Sequence, residues 1–222
     1  WIFLGAVCTF GTNTLYSLAN KLTTAANTIV LQFPAPIFVI VFSALFWKRR
    51  PKKLDIAACA VVFGGVLFFF LDSLEAGGAV GNVLAVLSGA AYGGVFLLND
   101  FPDSDAISSV FWGDVMSALS GLPFLVRETD FSSAALTSLV ILGVFQVAVA
   151  YILLTNGLRT TPAVTASLVS GIEPVLNPLL VAAFYGETVG PFALAGAAIV
   201  ICGVVGYNVL KARQPEPSRP SA

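Results

Sequence analysis

Histidine is absent from this chain, methionine occurs once, and cysteine occurs three times. Without imidazole, no Ser-His or Cys-His nucleophile pair can be assembled, and most zinc sites lose their usual ligand. No enzyme activity, cofactor or metal is therefore expected. Cys8, Cys59 and Cys202 each lie in an apolar run, and none forms a Cys-x-x-Cys pair. They read as small apolar helix residues rather than a disulfide framework or thiolate site. Charge is also scarce: 10% of residues are charged, against roughly 25% in soluble domains. The net charge is −1 and no basic stretch alternates with aromatics, so nucleic acid is not a partner. No phosphate-binding Gly-rich loop of the Walker type occurs, which excludes ATP as a direct energy source.

Apolar residues, in contrast, make up 57% of the 222 residues. A water-soluble fold would leave much of that surface uncovered, so the natural solvent is lipid. Crossing roughly 30 Å of hydrocarbon takes about 20 apolar residues. Spans are predicted at 1–20, 24–47, 54–71, 80–99, 106–126, 134–157, 162–185 and 190–210. The expected fold class is all-α, a polytopic membrane helix bundle of about eight transmembrane helices. The chain opens at Trp1 inside an apolar stretch with no charged leader, so the start reads as a cut and not as a signal peptide.

Lysine and arginine resist translocation and so set orientation. Lys48, Arg49, Arg50, Lys52, Lys53, Arg159, Lys211, Arg213 and Arg219 fall on one side, and Lys21 and Arg127 on the other. The basic side, with the C-terminus, is expected to be cytoplasmic. Residues 212–222 are expected to form a disordered tail. Trp1, Trp47 and Trp112 fall near span ends, where interfacial anchoring explains them.

The chain also resembles itself at an offset of 138 residues, as between Pro36 and Pro174. Leu4-Gly5 meets Leu142-Gly143, and Thr23 and Ala25 meet Thr161 and Ala163. Val62 meets Val200, and Gly65-Val66 meets Gly203-Val204. Spans one to three thereby pair with spans six to eight. An offset of five spans is odd, so the second copy lies inverted in the membrane. Inverted repeats of this kind mark secondary transporters, with the solute site near the midplane. Residues 1–75 form the first repeat, incomplete with three helices, and 79–211 the second, with five.

Between Thr160 and Tyr207, Ala163-x-x-Ala166-Ser167 leads to Glu173-Pro174-Val175, then to Gly186-Glu187-Thr188, Gly196 and Gly203-Val204. This pattern resembles the EamA-type domain of the drug/metabolite transporter superfamily, and the likeness covers nearly the whole chain. The first copy is similar at Pro36 and Gly65-Val66. It departs at Lys48-Arg49, where a Gly-Glu pair would stand, and at Ala35, which faces Glu173 in the alignment. The resemblance implies ten helices in two inverted five-helix halves, carrying small metabolites, often outward. Two helices ahead of Trp1 are accordingly expected.

Glu173 is a carboxylate deep in a span, where it serves either as a proton or substrate ligand or as a structural acid beside Pro174. Ser170, Glu173 and Asn177 share one helix face. Gln32 and Asn27 precede the first proline pair, and Tyr92 and Gln146 lie in spans four and six. These seven are the candidate cavity residues, with helix–helix glue as the plainer reading. Pro34, Pro36, Pro174 and Pro178 interrupt two equivalent helices and are candidate hinges. Asp114, with Ser117 and Gly121 on its face, is a further cavity candidate. Glu187 is read as structural. No Lys or Arg lies inside a span, so neutral or zwitterionic solutes fit best, such as amino acids or amphiphilic drugs. The expected partners are a small-molecule solute, membrane lipid, and a proton or counter-solute, with a homodimer as the compatible assembly. The rival reading is a non-transporting membrane scaffold or truncated remnant.

Overall fold

The computed structural model describes residues 1–74, 78–101, 103–129, 131–185 and 190–213. Gly186-Glu187-Thr188, part of the Glu75–Gly78 turn and the tail from Gln214 lie outside the described residues, as do the side chains of Asn177 and Pro178. Eight membrane segments are seen. They are α1 (Ile2–Leu22); α2 (Ala25–Gln32) with α3 (Ala35–Trp47); α4 (Lys53–Phe69); α5 (Ala79–Phe96); α6 (Ala106–Leu125); α7 (Ser133–Ile141) with α8 (Ala150–Gly157); α9 (Ala163–Ser170) with α10 (Glu173–Tyr185); and α11 (Pro191–Ala212). Five described stretches are by themselves long and apolar enough to cross a bilayer: Ile2–Leu22, Ala25–Trp47, Ala79–Phe96, Ser133–Gly157 and Pro191–Ala212.

Local chemistry explains where the helices start and break. The Thr24 hydroxyl caps α2 by accepting from the Asn27 amide (3.1 Å), and Asp105 caps α6 by accepting from the Ile107 amide (3.2 Å). Pro36 and Pro174 each occupy the second position of a helix, α3 and α10. Their missing N–H falls among amides that lack an intrahelical partner anyway. The spans therefore divide at Phe33-Pro34 and Gly171-Ile172 rather than merely bending.

Inside the bundle α1 packs on α5 and α6, and α5 also supports α2 and α3. The buried threonines of α1 satisfy themselves on their own helix: Thr9 donates to the Gly5 carbonyl (3.1 Å) and Thr12 to that of Cys8 (2.8 Å). This removes the cost of an unpaired hydroxyl in hydrocarbon.

The pairing of α4 with α11 displays the repeat directly. A Cβ added at Gly65 would meet Ile199 and Val200 at 2.9 Å, and one at Gly203 would meet Val61 at 3.0 Å and Val62 at 3.2 Å. Gly203 is the repeat equivalent of Gly65, and Val61 and Val62 are those of Ile199 and Val200. The contact is thus reciprocal, as an approximate two-fold axis between inverted copies requires. Phe33 likewise packs on Gly171, its own equivalent.

The two copies differ in cover. From Ser133 to Ala150 every described residue is exposed except the partly buried Ala135, although the equivalent α1 is sandwiched between α5 and α6. Within this exposed segment Leu142–Val149 is wound as a π-helix.

Adjacent glycines in α4 give a test. Gly65→Ala should lower the thermal midpoint of the detergent-solubilised protein, in line with an overpacking cost of about 1–3 kcal/mol. Gly64→Ala, where nothing lies within 4 Å, should leave the midpoint unchanged or raise it.

Candidate functional site

A cavity of about 130 Å³ lies where the two broken spans meet. An apolar protein cavity of about 150 Å³ admits benzene, so this space suits a solute of comparable size. Its walls come in equivalent pairs from the two repeats: Ile29 with Ser167, Gln32 with Ser170, Ala35 with Glu173, and Pro36 with Pro174. The pseudo-two-fold axis therefore passes through it. Tyr16 of α1 and Tyr92 of α5 complete the lining together with Phe33.

The symmetry of backbone is broken in chemistry. The second copy brings two serines and a carboxylate to positions where the first has Ile29, Gln32 and Ala35. No Lys or Arg is among the lining residues. The Gln32 amide nitrogen donates to Ser88 Oγ (2.7 Å), whose hydroxyl donates to the Thr12 carbonyl (3.2 Å). Gln32 is thus held by α5 and α1, and its side-chain oxygen is left without a hydrogen bond. Ser167 and Ser170 donate to carbonyls of their own helix, Val164 (3.0 Å) and Ser167 (2.8 Å). Glu173, at the first turn of α10, makes no hydrogen bond or ion pair among the described residues and shares the cavity with Tyr92.

The structure thus brings Gln32, Tyr92, Ser170, Glu173, Pro36 and Pro174 to one space. Glu173 is exposed rather than buried as expected for a deep intramembrane acid. Asn27 is buried away from the cavity, where its amide donates to the Thr23 hydroxyl (3.1 Å) and Thr23 donates to Asn82 (2.8 Å). Gln146 sits in the exposed π-helical stretch and lines no described cavity. Pro34 caps α3 and is not among the lining residues. The side chains of Asn177 and Pro178 lie outside the described residues.

Residue reading missed Tyr16 and the polar cluster at the basic end of the bundle. There the Tyr207 hydroxyl donates to Asp55 (2.8 Å), and the Lys211 ammonium donates to Thr165 (2.5 Å) and to Tyr207 (2.6 Å). The cluster ties α4, α9 and α11 together. Beside it Arg49 pairs with Asp100 (2.7 Å), and Phe101 lies against Trp1 (4.5 Å) and Trp47 (4.8 Å). The sequence signal was the i, i+4 spacing of Tyr207 and Lys211, which puts both on one helix face. Among the described residues, no three His, Cys, Asp or Glu side chains converge as a metal site.

Inverted helical repeats enclosing an axial polar cavity define a polytopic membrane transporter. The pattern of the EamA-like transporter family matches residues 1–71 and 79–209, and the chain belongs to that family. An uncharacterized transporter of Bacillus subtilis (strain 168), YwfM, is 28% identical over 224 residues, spanning 96% of this chain and 74% of the relative. An uncharacterized transporter of Archaeoglobus fulgidus is 25% identical over 202 residues, 90% of this chain and 73% of its own. A solved crystal structure superposes with a TM-score of 0.80 at 19% identity, covering 96% of this chain and 78% of that one, which shows the fold.

With the three native cysteines replaced, Ser170→Cys and Glu173→Cys should react with a water-soluble thiol reagent. Ser88→Cys, at a fully buried position, should stay unmodified. Equal labelling of all three would remove the wetted cavity.

Proposed function

We propose that this chain is a secondary-active exporter of small metabolites, neutral or zwitterionic in the manner of amino acids or small amphiphilic drugs. It works by alternating access of the axial cavity to the two sides of a bacterial plasma membrane. The observation that carries the reading is the cavity itself, walled by equivalent residues of two inverted repeats and carrying one carboxylate. Rocking of one repeat against the other about this point would open it first to one side and then to the other. The broken spans at Pro34, Pro36 and Pro174 supply hinges, and the Tyr207–Asp55–Lys211 and Arg49–Asp100 contacts close the basic end. Under the positive-inside rule that end, with the C-terminus, is cytoplasmic. Residues 1–75 and 79–211 act as the two moving units.

Recognition follows from the lining. Glu173 accepts the ammonium group of a zwitterion. Its carboxylate end is met by neutral donors such as the tyrosine hydroxyls. A wall without Lys or Arg disfavours anionic solutes. Transport is driven by a proton or a counter-solute. The rival reading, a non-transporting scaffold or remnant, draws on the uncovered face of Ser133–Gly157.

Counterflow of radiolabelled amino acids in proteoliposomes separates the two. Exchange by the purified chain supports transport, and its absence across the standard amino acids favours the scaffold. In an active preparation, Glu173→Gln should raise the half-saturation concentration for an amino acid about 10- to 100-fold, since a charged hydrogen bond contributes about 1.5–3 kcal/mol. The N-acetyl derivative, which has no ammonium group, should respond much less. Equal effects on both would remove Glu173 as the ammonium partner.

A further inference from the structure

A second carboxylate lies outside the solute cavity. Asp114 is half-buried near the middle of α6 and lines a separate space of about 180 Å³ with Ile107, Val110, Phe111, Ala148 and Tyr151. One of its oxygens accepts from the Asn13 amide nitrogen (2.9 Å), which also approaches Ser117 Oγ (3.5 Å). Among the described residues the other oxygen makes no hydrogen bond, and Asp114 makes no ion pair.

Its surroundings hold no cation. From α1, Asn13 faces it. Cys8 of α1 lies against Gly94 instead, Tyr16 lines the solute cavity, and Lys21 sits over the Phe124 ring (5.2 Å) at the far end of α6. From α8, Tyr151 faces it. In the turn preceding α6, Asp100 is paired with Arg49. An unpaired carboxylate in hydrocarbon is costly, and the species that relieves it here must be small and positive.

The geometry also links this acid to the solute site. The Tyr151 hydroxyl donates to the Asn13 side-chain oxygen (3.4 Å), and the two residues are 138 positions apart. They are repeat equivalents, so the bond crosses the pseudo-two-fold axis and joins helices that rocking would move against each other. Tyr151 and Tyr92 pack against the same buried cluster of Val95, Leu98, Ala106 and Val110, and Tyr92 lines the solute cavity with Glu173. Hydrogen bonds thus run from Asp114 through Asn13 to Tyr151, and packing continues from there to the cavity wall.

We infer that Asp114 is a proton-binding site, held by Asn13 and coupled to the solute cavity across the Asn13–Tyr151 bond. It rests on the transport reading above. A proton from water on one side joins the free carboxylate oxygen to give the neutral acid. The same proton returns to water on the other side after the repeats have rocked. The carrier ends unchanged, and one proton has crossed. Asn13 holds the ionised acid, and the 3.4 Å bond, long for O–H···O, is the contact that the two conformations treat differently.

The test uses the full chain in proteoliposomes, with the amino acid that gives the strongest counterflow as solute and a trapped pH dye. In the wild type, solute movement should carry protons and a pH gradient should drive accumulation. Asp114→Asn should retain solute–solute counterflow at equal pH, yet lose dye response and gradient-driven accumulation. Tyr151→Phe should keep proton binding but lower the accumulation ratio. Wild-type solute exchange without proton movement would overturn the inference and leave the transport reading standing. Proton coupling retained in Asp114→Asn would overturn it as well. A solute-independent readout covers inactive or unfolded variants: a membrane-permeant carbodiimide, which modifies protonated carboxyls, should label wild-type Asp114 more in mildly acid than in mildly alkaline buffer. Labelling absent at both, or equal at both, would contradict a titrating site.

Discussion

Every polar atom that this chain carries into hydrocarbon has to be paired within the protein or wetted by a cavity, since an unpaired one costs several kcal/mol. The architecture follows from how each case is resolved. Thr9, Thr12 and Thr155 bond back to their own helices. Asn27 closes a local circuit with Thr23 and Asn82. Gln32 is shared between spans through Ser88. The two acids placed well inside spans, Glu173 and Asp114, have no cation to pair with, and both border a cavity. Among the described side chains, the Asn20 oxygen is the exception, buried with no hydrogen bond.

The second governing feature is the approximate two-fold axis. It is visible in the reciprocal Gly65–Val200 and Gly203–Val62 contacts, in Phe33 against Gly171, and in Tyr151 bonded to Asn13. Close approach of α4 and α11 depends on small residues, because apolar burial gives no drive between helices already in lipid. The axis also relates the walls of the cavity in pairs, while Ala35 against Glu173 makes its interior chemically unequal.

Span positions and the repeat could be read from sequence because both rest on composition and spacing, which lipid enforces strictly. The eight predicted spans agree with the observed segments to within a few residues. The offset of 138 residues reappears as physical contact. The convergence of Gln32, Ser170, Glu173 and the two Pro-led helices followed from the same alignment. Asn27 and Gln146 did not join them. Asn27 is taken up by Thr23, which is itself held by Asn82, a partner 59 positions away from Thr23, and Gln146 lies on a helix whose π-winding shifts which face its residues present. Of the Tyr207–Asp55–Lys211 cluster only the Tyr207–Lys211 pair had a local spacing to show it; Asp55 and Thr165 join it, and Tyr16 joins the cavity, from distant parts of the chain. The exposure of most of Ser133–Ala150 was equally unreadable, since burial depends on which neighbours are present and not on hydropathy.

The central claim is that two copies of one helical unit stand inverted about a shared cavity. It is tested most directly at Lys21 and Arg159, repeat equivalents that are both exposed at span ends. In a background without native cysteines, Lys21→Cys and Arg159→Cys are labelled with a membrane-impermeant reagent from either side of sealed vesicles of known orientation. The account predicts modification from opposite sides. Modification of both from the same side would contradict it.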